Sequence, residues 1–240
     1  MAAGIGSSKI KVAVFYALDS EIKPTLAMLG RKMRLEHAKL GRFDIILSGA
    51  TCFIKTGMGA ENSAQAGREF FSSFEPELVI SAGFGGMVSG KAAVGEPLSI
   101  SQVEFYPEGG KIELPETGLF PELRQAPLVT IFKWMQKAAL KTDFKGKEFL
   151  AVDMETYPLA GLCAEKGVPF AGIRAITDGE DMEIDFAPED ISDENGDYSP
   201  MKAIWLIAKR PALLPQALKL GANSRKAARA ICGVLTRLIK

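Results

Sequence analysis

Short β-rich apolar runs alternate with segments of helical spacing along the first 180 or so residues, and this alternation most constrains the fold. Residues 11–17 (KVAVFYA), 43–47, 52–55, 78–82 (LVISA), 97–105, 128–132, 150–152 and 170–176 (FAGIRAI) read as strands. Between them, residues 21–28 read as a helix behind an N-cap at Asp19 or Ser20, and residues 60–74, 133–141 and 155–166 read as further helices. Strands alternating with helices predict an α/β fold of a single domain, with a central mixed, largely parallel sheet flanked by helices.

The remaining segments set the domain plan. Residues 1–9 read as a disordered terminus, residues 10–200 as the catalytic domain, and residues 201–240 as a C-terminal helical extension packed on it, interrupted at Pro211 and Pro215. Residues 107–125 read as a surface excursion, and the acidic stretch 178–197 as a mobile loop or lid.

Composition excludes several classes. The 240 residues suit one domain with a proper core, and 47% of them are hydrophobic. Lys+Arg and Asp+Glu both number 29, so no global field draws in nucleic acid. No apolar run spans a bilayer, and the start of the chain lacks the pattern of a signal peptide. Cys52, Cys163 and Cys232 form an odd set without paired spacing, which fits a reducing, cytoplasmic setting. A single histidine, His37, in a polar hairpin-edge stretch leaves no metal site and no Ser-His-Asp triad.

Chemistry gathers at predicted strand ends. Glycine-rich turns follow three strands: Gly57-Met58-Gly59, Gly83-Phe84-Gly85-Gly86, and Gly179. Neither of the first two keeps the spacing of a dinucleotide fingerprint, so each reads as a tight connection needing positive φ, or as one wall of a pocket beyond the carboxyl ends of the strands. Glu21, Glu155 and Asp178 each lie at such an end, as helix-terminal acids or as site residues.

The segment Ala151-Val152-Asp153-Met154-Glu155, followed by Ile173-Arg174-Ala175-Ile176-Thr177-Asp178, resembles the paired signature of the nucleoside phosphorylase/nucleosidase superfamily. Tyr16 to Glu21, Lys55-Thr56-Gly57-Met58-Gly59, Val79 to Gly86 and Val94-Gly95-Glu96 are similar to that family's upstream motifs in the same order, closest to the methylthioadenosine/adenosylhomocysteine nucleosidases. The resemblance implies a nucleoside phosphorylase-like fold and cleavage of the N-glycosidic bond of a purine nucleoside, with 5′-modified adenosines as the expected substrates. It implies that Asp178 serves N7 of the leaving base, Glu155 the ribose hydroxyls and the developing cation, and Glu21 the attacking water. Met154 is expected against the sugar. Ala82, Gly83, Phe84 and Thr177 are expected around the substrate, and Phe149 is a candidate for stacking on the base.

Hydrolysis is favoured, because the two arginines that hold phosphate in hexameric bacterial phosphorylases have no counterpart in the first loop or at Ser81. Phosphorolysis, with phosphate as co-substrate, and a non-catalytic nucleoside-binding role stay open. No cofactor is implied, and a homodimer or larger homo-oligomer is. The segment 208–227 resembles the tail of hopanoid-associated nucleosidases and phosphorylases, which makes an adenosylated lipid a further candidate substrate.

Overall fold

A computed structural model describes residues 10–115 and 117–239, so the predicted disordered residues 1–9 lie outside the described residues. Among the described residues, ten strands form one mixed sheet. They are β1 (Val12–Tyr16), β2 (Glu36–Leu40), β3 (Phe43–Ser48), β4 (Thr51–Lys55), β5 (Leu78–Ser89), β6 (Pro97–Tyr106), β7 (Lys111–Glu113), β8 (Arg124–Ile131), β9 (Leu150–Asp153) and β10 (Phe170–Asp178). The α-helices of the described residues are α1 (Asp19–Leu29), α2 (Ala60–Phe71), α3 (Lys137–Asp143), α4 (Thr156–Lys166), α5 (Pro200–Lys209) and α6 (Leu214–Leu238).

The sheet has two parts. Strands β5, β10, β6, β8 and β9 pair in a closed ring, because β5 bonds both β10 and β9. Strands β1, β4, β3 and β2 extend from β5 as an open flank. On β1 the period of two divides the core: Ala13 and Phe15 face one layer, Val14 and Tyr16 the other. The first layer holds Ala66 and Phe70 of α2 with Leu159, Ala160 and Cys163 of α4. Phe15 and Phe70 meet edge to face with centroids 5.4 Å apart, a contact worth about 0.5–1.5 kcal/mol beyond its buried area. The second layer holds Ile22 of α1 with Ala227, Ile231, Val234 and Leu235 of α6, so the second half of α6 is part of the main core.

Several segments differ from the sequence reading in instructive ways. The Gly83–Gly86 run was expected to be a turn, yet β5 continues straight through it to Ser89, and none of Gly83, Gly85 or Gly86 has positive φ. These glycines are there for close approach: a Cβ on Gly83 would lie 2.8 Å from Glu21 Oε1, one on Gly85 3.2 Å from Arg174 Cβ, and one on Gly86 2.5 Å from Asp178 Oδ2. Gly57 and Gly59 do use positive φ, 80° and 102°. Helix α3 starts four residues later than the periodicity predicts, and the displaced Trp134 and Met135 face a cleft instead.

The 107–125 excursion contributes β7 and buries Leu114 and Phe120. The acidic stretch is irregular but tied down. Asp193 Oδ1 accepts from the backbone amides of Asn195 and Asp197, Met58 N donates to Gly196 O, and Lys55 pairs with Asp197 at 3.2 Å. His37 is exposed on β2, as its polar surroundings predict.

Candidate active site

The parallel strands β1, β4, β5 and β10 bring their carboxyl ends to one edge, where ligands of open α/β sheets sit. Two cavities lie there, neighbours in that Met154 lines one and Glu155 the other. One is lined by Glu21, Ala82, Gly83, Glu155 and Arg174. The other is a cleft with about 540 Å³ of empty space, lined by Met154, Asp178, Trp134, Met135 and Lys137.

Glu21 is the third residue of α1, and Leu18 before that helix has no side-chain oxygen to cap it. The Glu21 carboxylate serves instead: Oε2 accepts from Ala17 N at 2.8 Å and Leu18 N at 2.9 Å. Its Oε1 accepts from Phe84 N at 2.8 Å, across the cavity in β5. Burial pushes the Glu21 carboxyl above the ordinary range, against the opposing pull of these amides and of the Arg174 guanidinium.

Glu155 sits at the N-cap of α4 and accepts from Gly59 N at 2.8 Å, the turn after β4. Burial, then the neighbouring Asp153 carboxylate, raise its pKa well above a free glutamate's. A raised native pKa means that the native state holds more protons than the unfolded chain between the two values. Stability is therefore lost as pH rises through the native pKa. Glu155→Gln is expected to melt higher than the wild type at alkaline pH, with the difference shrinking as the buffer is acidified. Thermal melts across pH check this, and a pH-independent difference would contradict the burial argument.

Between the glutamates lies Arg174, 2% exposed. Its Nε and Nη2 donate to Asp153 Oδ2 at 2.9 and 2.6 Å, Nη2 also to Ser81 Oγ at 2.8 Å, and Nη1 to Ser81 O and Ile173 O. Asp153 further accepts from the Thr130 hydroxyl and from the amide and hydroxyl of Thr156, which anchors the start of α4. All five N–H groups of Arg174 are used in these bonds, so it has no arm left for an external anion.

At the far end of the site, the Thr177 hydroxyl donates to Asp178 Oδ1 at 2.6 Å, and Lys137 forms an ion pair with Asp178 Oδ2. Glu21, Glu155, Ala82, Gly83, Met154 and Asp178 thus line the two cavities, while Thr177 reaches them through Asp178. Phe84 contributes its backbone amide, and its ring packs with the α1–α6 layer. Phe149, expected to stack on the base, lines neither cavity. Its ring lies under the Arg124 guanidinium, 4.1 Å from centroid to carbon, and crowds Gly90. The aromatic side chain that does line the cleft is Trp134, which sequence reasoning missed because it reads as part of a helix. Lys137 was missed for the same reason: a lysine in KWMQKAALK has the pattern of a solvated helical face.

The sheet thus combines a closed ring of strands with an open flank and carries acids at its strand ends. Residues 129–198 match the phosphorylase superfamily. It is 22% identical over 234 residues to a 5′-methylthioadenosine/S-adenosylhomocysteine nucleosidase of an Exiguobacterium species, covering 84% of this chain and 98% of the relative. A nucleosidase of the same name from Baumannia cicadellinicola is 24% identical, covering 70% and 85%. Among solved structures, the Helicobacter pylori 5′-methylthioadenosine/S-adenosylhomocysteine nucleosidase superposes with a TM-score of 0.70 at 18% identity, covering 96% of this chain and 98% of that one. Futalosine hydrolase of the same species superposes at 0.69 and 18%, covering 97% of each.

Proposed function

We propose that this chain is an enzyme that hydrolyses the N-glycosidic bond of a 5′-modified adenosine and releases adenine. The observation that carries the reading is the convergence of Glu21, Glu155 and Asp178 on adjoining cavities whose cations are both already committed to carboxylates, Arg174 to Asp153 and Lys137 to Asp178. That charge balance suits a ribosyl cation and a water, and neither of the two cations that line these cavities is free for phosphate. The activities for which the two nucleosidase relatives are named agree with it.

In this reading the base enters the Trp134–Met135 cleft and meets Asp178 at N7, with Trp134 taking the stacking role. Met154 packs against the sugar, and Glu155 accepts from the ribose hydroxyls. As the C1′–N9 bond breaks, its electron pair moves onto the purine, and the carboxyl oxygens of Glu155 and Glu21 face the cation left at C1′. Glu21 takes a proton from the attacking water, a task favoured by a pKa that burial lifts above the ordinary carboxylate range. No cofactor is required. We read the enzyme as cytoplasmic, in keeping with three buried free cysteines, and as a homo-oligomer, in keeping with the exposed apolar side chains Met201, Ile204, Trp205 and Leu218 on α5 and α6. Among the described residues, no helix is long and apolar enough to cross a membrane.

The test is base release from methylthioadenosine, adenosylhomocysteine, adenosine and inosine, followed by chromatography with and without phosphate. Adenine appearing at equal rates in both supports hydrolysis. Turnover only with phosphate, yielding a ribose 1-phosphate, makes the enzyme a phosphorylase and removes the role given to Glu21. Binding without release from any of the four points to a bulkier 5′ group, such as an adenosylated lipid, or to a binding protein.

A further inference from the structure

The acid that faces the leaving base is not alone. Lys137 is 6% exposed, and its ammonium forms an ion pair with Asp178 Oδ2 while donating to Gly179 O at 2.6 Å and Asp178 O at 3.3 Å. An ammonium has three protons, and these three acceptors use them all. Lys137 therefore has none to spare for reading the base directly, and whatever it does in the reaction passes through Asp178. The other Asp178 oxygen, Oδ1, takes the Thr177 hydroxyl. An aspartate that accepts from an ammonium and a hydroxyl is a carboxylate, and a carboxylate by itself has no proton to give to N7.

The surroundings hold this pair in place. Lys137 is the first residue of α3, and its own backbone amide and that of Ala138 donate to the Glu183 carboxylate at 3.0 and 2.9 Å. Lys141, one turn further on, donates to Glu180 O. The charged groups facing Lys137 are thus Asp178 at the end of β10, Glu183 after it, and Asp153 across the cleft. Glu183 is engaged with backbone amides, and Asp153 with Arg174 and two threonines.

We propose that Lys137 and Asp178 act as one acid that carries a single shared proton, with Lys137 the positioning residue that stores it. This rests on the hydrolytic reading above. In the step, the C1′–N9 bond breaks and its electron pair goes to the purine. The Lys137 ammonium passes one proton through the Asp178 carboxylate to N7, so that Asp178 is a carboxylate before and after the step and Lys137 is left as a neutral amine beside it. Water adds to C1′ and gives its proton to Glu21. After the products leave, Glu21 returns a proton to solvent and Lys137 takes one up, so the cycle closes without an added reagent.

Two substitutions separate this from a structural role. In Lys137→Met the Asp178 carboxyl loses its cation and has to take up its own proton from solvent, which it does only at lower pH than the intact pair. The alkaline limb of kcat/KM is expected to move down by more than one pH unit, with kcat falling about 10²-fold at neutral pH and recovering as the buffer is acidified. In Lys137→Arg the charge stays but the guanidinium does not release a proton, so the same loss is expected without recovery over that acidic range. A uniform loss in both variants with unmoved limbs, in proteins whose circular dichroism matches the wild type, would mean that Lys137 only packs.

A readout free of substrate is carbon-detected NMR titration of the Asp178 carboxyl. Its midpoint should rise in Lys137→Met. If it does not move, the shared-proton proposal is overturned even where nucleosides are cleaved. If it moves while the wild type cleaves no nucleoside, the pair stands and the hydrolytic reading falls.

Discussion

Replacing Asp178 with asparagine is expected to lower kcat for base release by about 10²–10⁴-fold, the usual span for a general acid in the transition state. That span is roughly 3–5 kcal/mol of barrier. Asparagine keeps the shape and can still accept from the Thr177 hydroxyl, so the end of β10 and the cleft should keep their form. What it lacks is the capacity to hold and pass a proton. The effect should therefore fall on kcat, with KM nearly unchanged, because the lost interaction exists mainly in the transition state. Single-turnover assays with the tightest-binding nucleoside would measure it. A variant within a few-fold of the wild type would remove Asp178 from the chemistry and leave it as a partner for Lys137.

The largest effect on stability is expected at Arg174. Arg174→Ala leaves the Asp153 carboxylate, 6% exposed as a residue, without the cation it pairs with and strips donors from Ser81. Breaking a buried ion pair in this way costs about 3–5 kcal/mol, which in a domain of this size is a melting-temperature loss of roughly 6–20 °C. Arg174→Lys should fall between, since one ammonium does not reach Asp153, Ser81 and Ile173 as the planar fork does. Calorimetry on the two variants tests this. If the alanine variant melted within 2–3 °C or so of the wild type, the three remaining hydroxyl and amide donors to Asp153 would be satisfying it alone.

The alternation of strands and helices was legible because buried strands leave short apolar runs bounded by breakers, and β1, β4, β5 and β10 leave such runs. The acids Glu21, Glu155 and Asp178 were legible because they sit where those runs end. Less legible was anything decided by side chains meeting across the fold. The Gly83–Gly86 run looks like a turn from its composition, and only the positions of Glu21, Arg174 and Asp178 explain why a strand there must lack Cβ atoms. Trp134 and Lys137 look helical because the local pattern carries no trace of the cleft they turn toward. Phe149 is the converse case: an aromatic residue at a plausible spacing, whose ring is held by Arg124, a partner twenty-five residues earlier in the chain.

The division of the sheet into a closed ring and an open flank has a mechanical consequence. Every ring strand is held by neighbours on both sides, whereas the flank ends at the free edge of β2, so the two parts differ in stiffness. The site lies on the seam between them, and the two buried glutamates are its stitches. Glu21 ties Ala17 and Leu18 of the flank to Phe84 of the ring, and Glu155, carried on the ring, grips Gly59 of the flank. Protonating either carboxyl weakens a stitch as well as altering a reactive group. Breathing of the seam and the charge state of the site are thereby geared together, with the sugar seated where the gear teeth meet.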